Sequence, residues 1–117
     1  MSEIESTTSN PRIFGSDVPK TLFVLRHHFQ KPPQAFEDAY KGHRAYIDRN
    51  MAEGTFLIAG PAVPWDGGVI LARAADRAAI EAVVATDPLV GEGITEYSVT
   101  EWKTTIRRQE FDAIIPA

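Results

Sequence analysis

The chain has 117 residues, 44% hydrophobic and 24% charged, with 12 Lys and Arg against 16 Asp and Glu. That length supports one domain with a single modest core, and the dispersed basic residues at net charge -4 exclude the clustered positive footprint that a nucleic-acid partner requires. No apolar run approaches the roughly 20 residues that span a bilayer, the chain has no cysteine for disulfide or thiol chemistry, and the first residues lack a signal-peptide pattern, so a cytoplasmic location is expected.

Residues 1–20 are rich in Ser, Thr and Glu and are interrupted by Pro11 and Pro19. So polar a stretch is expected to form a flexible arm, with Ile13-Phe14 available to dock on the domain or on a partner subunit. The folded domain is expected over 21–106. It begins with a strand, Thr21 to Phe29 (TLFVLRHHF), by its β-branched and aromatic content. Alternation places Phe23, Leu25, His27 and Phe29 on one face and Leu22, Val24, Arg26 and His28 on the other. Both faces begin apolar, so both need a cover. Arg26, His27 and His28 cluster at the strand end, where a solvated end and a ligand-binding role are both open.

Pro32-Pro33 starts a helix that is expected from Gln34 to Glu53. Its apolar stripe runs Phe36, Tyr40, His43, Ile47 and Met51, in steps of three and four, against Glu37, Lys41, Arg44 and Asp48. His43 therefore sits at an inward position. Gly54 supplies the left-handed cap. A second strand is expected from Thr55 to Val63, and Trp65-Asp66-Gly67-Gly68 reads as a tight hairpin turn with two positive φ angles. Val69 to Ala74 forms the third strand. A second helix follows from about Ala75 to Ala85, capped by Asp76, with Ile80, Val83 and Val84 toward the core. It stops near Asp87, because Pro88 disfavours helical geometry in the residue before it. Gly91 and Gly93 mark a turn before a long last strand, Ile94 to Thr104. Residues 107–117 form a short tail with Phe111, Ile114 and Ile115 available for packing.

The order β-α-β-β-α-β is the split βαβ arrangement, an α+β fold with two helices on one face of a four-stranded antiparallel sheet. The uncovered face would be left apolar. A homodimer packed sheet to sheet is the expected solution.

These residues also resemble a known family. GHRAYIDRNMAEGTFLIAGP (42–61), GGVILARA (67–74), VVATDPLV (83–90) and ITEYSVTEW (94–102), in that order, are similar to the YCII-related domain family. The shared pattern is a histidine in the first helix, an Ala-Gly-Pro at a strand end, an Asp-Pro after the second helix and a Trp late in the last strand. The helix exit departs slightly, with Gly54-Thr55-Phe56-Leu57 where Gly followed directly by an apolar residue is commoner. The resemblance implies a ferredoxin-like fold that pairs as a dimeric α+β barrel, and a His-Asp site that falls on His43 and Asp87. Related barrel enzymes act on small ring compounds, which implies a small-molecule ligand.

Such a dyad has a physical rationale. A carboxylate fixes the imidazole tautomer and stabilises its protonated form, which leaves the other nitrogen as a base. His43 can equally be a satisfied core histidine, and Asp87 an Asx-Pro turn that ends a helix. Arg26 or His28 could supply positive charge for an anionic substrate. Gly60 and Pro61 read as a kink that brings backbone to a pocket. Trp65 and Trp102 read as core or interface aromatics. No phosphate loop, nucleophile elbow, nucleotide motif or metal-ligand spacing is present, so no cofactor and no metal are expected. Two functions stand: a cofactor-independent lyase or isomerase acting on a small ring or carbonyl compound, and a non-catalytic dimeric domain that binds a small ligand or assists another enzyme.

Overall fold

The computed structural model describes residues 19–115. The expected arm, with Ile13-Phe14, lies almost wholly outside the described residues. The elements in chain order are β1 (Lys20–Phe29), a 3-10 turn (Pro33–Ala35), α1 (Glu37–Ala52), β2 (Phe56–Pro61), β3 (Gly67–Ala72), α2 (Arg77–Val84), α3 (Pro88–Gly91), β4 (Thr95–Thr104) and a 3-10 turn (Gln109–Ala113). The strands form one antiparallel sheet in the order β2-β3-β1-β4, the ferredoxin-like α+β arrangement. No described helix is long and apolar enough to cross a membrane.

The described residues divide into two compact units, Phe23–Glu101 and residues 19–22 with 102–115. In the larger unit Phe23 and Leu25 of β1 pack with Tyr46, Phe56, Ile70, Ala72 and Ile80. Each large apolar side chain buried there contributes about 1.5–3 kcal/mol. In the smaller unit the Thr104 hydroxyl donates to the Lys20 carbonyl at 2.6 Å. Arg107 there lies 2.8 Å from Asp112, and Ile115 is buried while Phe111 and Ile114 remain exposed.

Three local features differ from the sequence-based expectation. The first helix begins later than Gln34, because Phe36 adopts φ -129 and ψ 60 between the 3-10 turn and α1. The helix then opens with Glu37 and Asp38 in its first turn, where acidic side chains complement the helix dipole. The β2–β3 connection is wider than a two-residue turn. The Ala62 amide donates to the Gly67 carbonyl at 3.1 Å, so Val63 to Asp66 lie between them. Gly67 takes φ +151, and a Cβ there would lie 1.8 Å from the His27 carbonyl oxygen, so only glycine fits. Pro88, finally, opens a further helical turn as well as ending the approach from α2. Asp87, in extended geometry, caps α3 by accepting from the Leu89 amide at 2.9 Å, with proline in the first turn.

The apolar stripe of α1 is divided between two environments. Tyr46 is fully buried, and His43 is buried where it borders a cleft. Tyr40, Ile47 and Met51 are only half-buried, because they line the same cleft. On the outer face of the sheet, Val24 pairs with Leu71 and Leu71 with Ile58 across β1, β3 and β2. This row is apolar and open, with Ile58 62% exposed.

Candidate active site

Asp87 is the centre of the site. It is 1% exposed, and all its bonds follow from its place at the head of α3. Capping occupies Oδ1 through the Leu89 amide. That leaves Oδ2 to face α1 and β4, where it accepts from the Tyr97 hydroxyl at 2.8 Å and from His43 Nδ1 at 2.9 Å. Burying a carboxylate is tolerable only when its lone pairs are met, and three donors meet them here.

His43 reaches Asp87 because α1 comes unusually close to α3. A Cβ on Gly42 would lie 3.0 Å from Cγ of Pro88, so glycine in mid-helix keeps the two elements in contact. Glycine costs about 1 kcal/mol against alanine there, and the close approach is what it secures. Since an ionised carboxylate only accepts, Nδ1 carries a proton, and Nε2 of the neutral ring keeps its lone pair. Tyr97 stays a donor: burial, then Tyr46 and the Asp87 charge, hold its hydroxyl well above the usual tyrosine range. Tyr46, packed edge-on to Phe56, is likewise pushed up by burial.

His43 lies on the wall of a cleft of about 1100 Å³ between α1 and strands β2 and β3. Tyr40 and Trp65 form an aromatic side, stacked with centroids 6.2 Å apart, and Phe29 meets Trp65 edge-on at 5.3 Å. Gly60 and Pro61 line the same cleft, as do Lys41 and Arg44. Arg44 is paired with Asp48 at 2.9 Å. Arg26 and His28 are placed elsewhere. Arg26 binds Asp66 at 2.7 Å and the His27 carbonyl at 2.6 Å, and it holds the Asp66 carboxyl below the usual range through that hydrogen bond. His28 is exposed, as a solvated strand end would be.

His27 does not follow the solvated-end reading. It is 5% exposed and faces the cleft with Phe29. The alternation Phe23, Leu25, His27 was the available signal. Burial, and next the neighbouring His43, lower its pKa from 6.5 to about 4, with Asp87 opposing and Arg26 and His28 adding to the shift. An unfolded chain protonates this histidine below pH 6.5, and the folded one does so only near pH 4. Its contribution to stability is therefore intact above pH 6.5 and is lost as pH falls to about 4, by roughly 3 kcal/mol in all. Urea midpoints at pH 7 and pH 4.5 should show this loss in the native chain and a smaller one in His27→Gln. Equal losses would remove His27 as the source.

The site as built could move one proton through His43 and hold a flat ligand against Tyr40 and Trp65. Sequence reasoning does not single out Tyr97, Tyr40 or Lys41 for the site, and it gives Trp65 a packing role.

The chain matches the YCII-related domain over residues 14–103. A solved structure of the 5-chloro-2-hydroxyhydroquinone dehydrochlorinase (TftG) from Burkholderia phenoliruptrix, in complex with 2,5-dihydroxybenzoquinone, has a similar fold. Its TM-score is 0.59 at 22% identity, covering 70% of this chain and 93% of that one. No curated protein matches the chain. With its fold and more than half its length in agreement, the chain belongs to the YCII-related domain family.

Proposed function

We propose that the protein is a cofactor-independent lyase or isomerase for a small ring or carbonyl compound, with His43 as the acid/base and Asp87 as its orienter. The observation that carries this reading is the asymmetry of the His43 ring. Nδ1 is committed to a buried carboxylate 2.9 Å away, while the ring itself borders an aromatic cleft. In the reaction, Nε2 takes a proton from a hydroxyl or acidic C–H of the substrate, and Asp87 stabilises the imidazolium that forms. The electron pair released then either expels a leaving group such as chloride, so that the net change is loss of HCl, or shifts a double bond. For isomerisation the imidazolium returns the proton to a different carbon. Lys41, a cleft-lining cation, can stabilise the anion formed between the two steps. Gly60 and Pro61 shape the far wall. The dehydrochlorinase of similar fold adds support, since the activity in its name is an elimination from a hydroxylated ring.

The test is turnover with chlorinated hydroxyquinols and related cyclic carbonyl compounds, read as chloride release or as deuterium uptake from heavy water. Ring binding without either would favour the non-catalytic reading.

The same proposal includes a homodimer, formed through the open row Val24, Leu71 and Ile58 on the outer face of the sheet. Burying such a row against its own copy stabilises by about 25 cal/mol for each Å² removed from water. Sedimentation at micromolar concentration should give twice the 12.9 kDa chain mass, and Ile58→Lys should give the monomer. A monomeric wild type would remove the barrel.

A further inference from the structure

His27 is not used by the proton transfer just described, yet its ring is as constrained as that of His43. Its Nδ1 lies 2.9 Å from the Thr95 hydroxyl. That hydroxyl has one proton, and it donates it to the His28 carbonyl at 2.9 Å. Thr95 can therefore only accept from His27, which places the His27 proton on Nδ1 and a lone pair on Nε2. Gly68, also a cleft residue, packs beside that nitrogen: a Cβ there would lie 2.8 Å from Nε2 and 3.0 Å from the Gly60 carbonyl oxygen, so any larger residue would cover the Nε2 edge. The rings of His27 and His43 are 5.2 Å apart.

The cleft thus carries two neighbouring imidazoles, each with Nδ1 committed to the protein and Nε2 available as an acceptor. One, His43, has its Nδ1 held by the Asp87 carboxylate at 2.9 Å. The other, with its pKa lowered to about 4 by burial, stays neutral and is a poor base at pH 7, so its use is in binding. A ligand with one donor would leave the second acceptor desolvated and unmatched. A ring with two donors satisfies both.

We propose that His27 is a ligand-binding residue whose Nε2 accepts a hydrogen bond from a second ring hydroxyl, so that the cleft selects dihydroxylated rings. The proposal rests on the reading of this cleft as the reacting site, with His43 taking the first hydroxyl. Tyr40 and Trp65 supply the flat wall against which such a ring would lie.

The experiment is equilibrium binding by calorimetry, with 1,2-, 1,3- and 1,4-dihydroxybenzene and the monomethyl ether of each. Wild type should prefer at least one diol over its ether by about 10- to 100-fold, the range for one unmatched buried polar group. His27→Phe should bind that diol no better than the ether. Should His27→Phe fail to fold, Thr95 serves in its place. Thr95→Val frees the tautomer and should weaken the preference, whereas Thr95→Ser keeps the hydroxyl and should retain it. A preference that survives in His27→Phe or in Thr95→Val overturns the assignment. Diol and ether binding wild type equally overturns it too, while leaving the cleft as a ring site. If wild type binds none of the six rings, the assignment and the reading of the cleft both fall.

Discussion

Replacing His43 with Asn should lower kcat on the ring substrate by about 10²- to 10⁴-fold, the span expected when a general base is removed. Asn is chosen because its amide can still donate to Asp87, so the buried carboxylate keeps three donors and the fold is preserved. What disappears is the lone pair at the position of Nε2. The loss should fall on kcat more than on KM, since proton removal belongs to the transition state while the aromatic wall still binds the ring. Circular dichroism and a thermal transition close to wild type would show that the variant is folded. A folded His43→Asn with kcat within threefold of wild type would eliminate His43 as the base.

Replacing Asp87 with Ala should be the most destabilising single change at the site. It strands the Leu89 amide, the Tyr97 hydroxyl and His43 Nδ1, all of which now donate to one carboxylate. Each stranded buried donor costs about 1–3 kcal/mol, and because the three are neighbours their costs do not simply add. Loss of the cap on α3 contributes roughly 1 kcal/mol more. A total of about 3–5 kcal/mol is expected, enough to lower Tm by roughly 15–30 °C in a domain of this size. Asp87→Asn should cost less, because its amide oxygen still accepts from one or two of the donors. The control is Arg44→Ala, which breaks an exposed i,i+4 pair at 2.9 Å and should change stability by no more than about 0.5 kcal/mol. Urea unfolding would measure all three. An Asp87→Ala chain within about 1 kcal/mol of wild type would mean that water replaces the carboxylate, and the site would then not be the dry, pre-set base that the mechanism requires.

The strands and helices were legible because each carries one period. Phe23, Leu25 and His27 alternate along β1, and Asp76 and Gly54 sit where caps are needed. The pairing of His43 with Asp87 was legible only through the family resemblance. The two residues are 44 positions apart, and neither spacing nor composition reports a contact of that range. Trp65 reads as packing in the sequence alone. Trp65 lies in the β2–β3 connection, and its ring meets Tyr40 of α1 and Phe29 of β1, contacts between elements that no local stretch reports.

By itself, then, the sequence determined the order of strands and helices and the α+β class, and through the family resemblance it pointed to His43 and Asp87 as a pair. These follow from hydrophobic period, turn chemistry and an ordered set of family positions, all of which are properties of the chain as a line. Only the tertiary structure decided which apolar positions of α1 face the core and which face a cleft. Tyr46 and Tyr40 belong to the same amphipathic helix, and a hydrophobic period does not distinguish burial against protein from burial beneath a ligand. It also decided the protonation of His27, because that depends on how the Thr95 hydroxyl, 68 residues away, spends its single proton. Hydrogen-bond direction is a property of three atoms brought together in space, and no stretch of sequence contains all three.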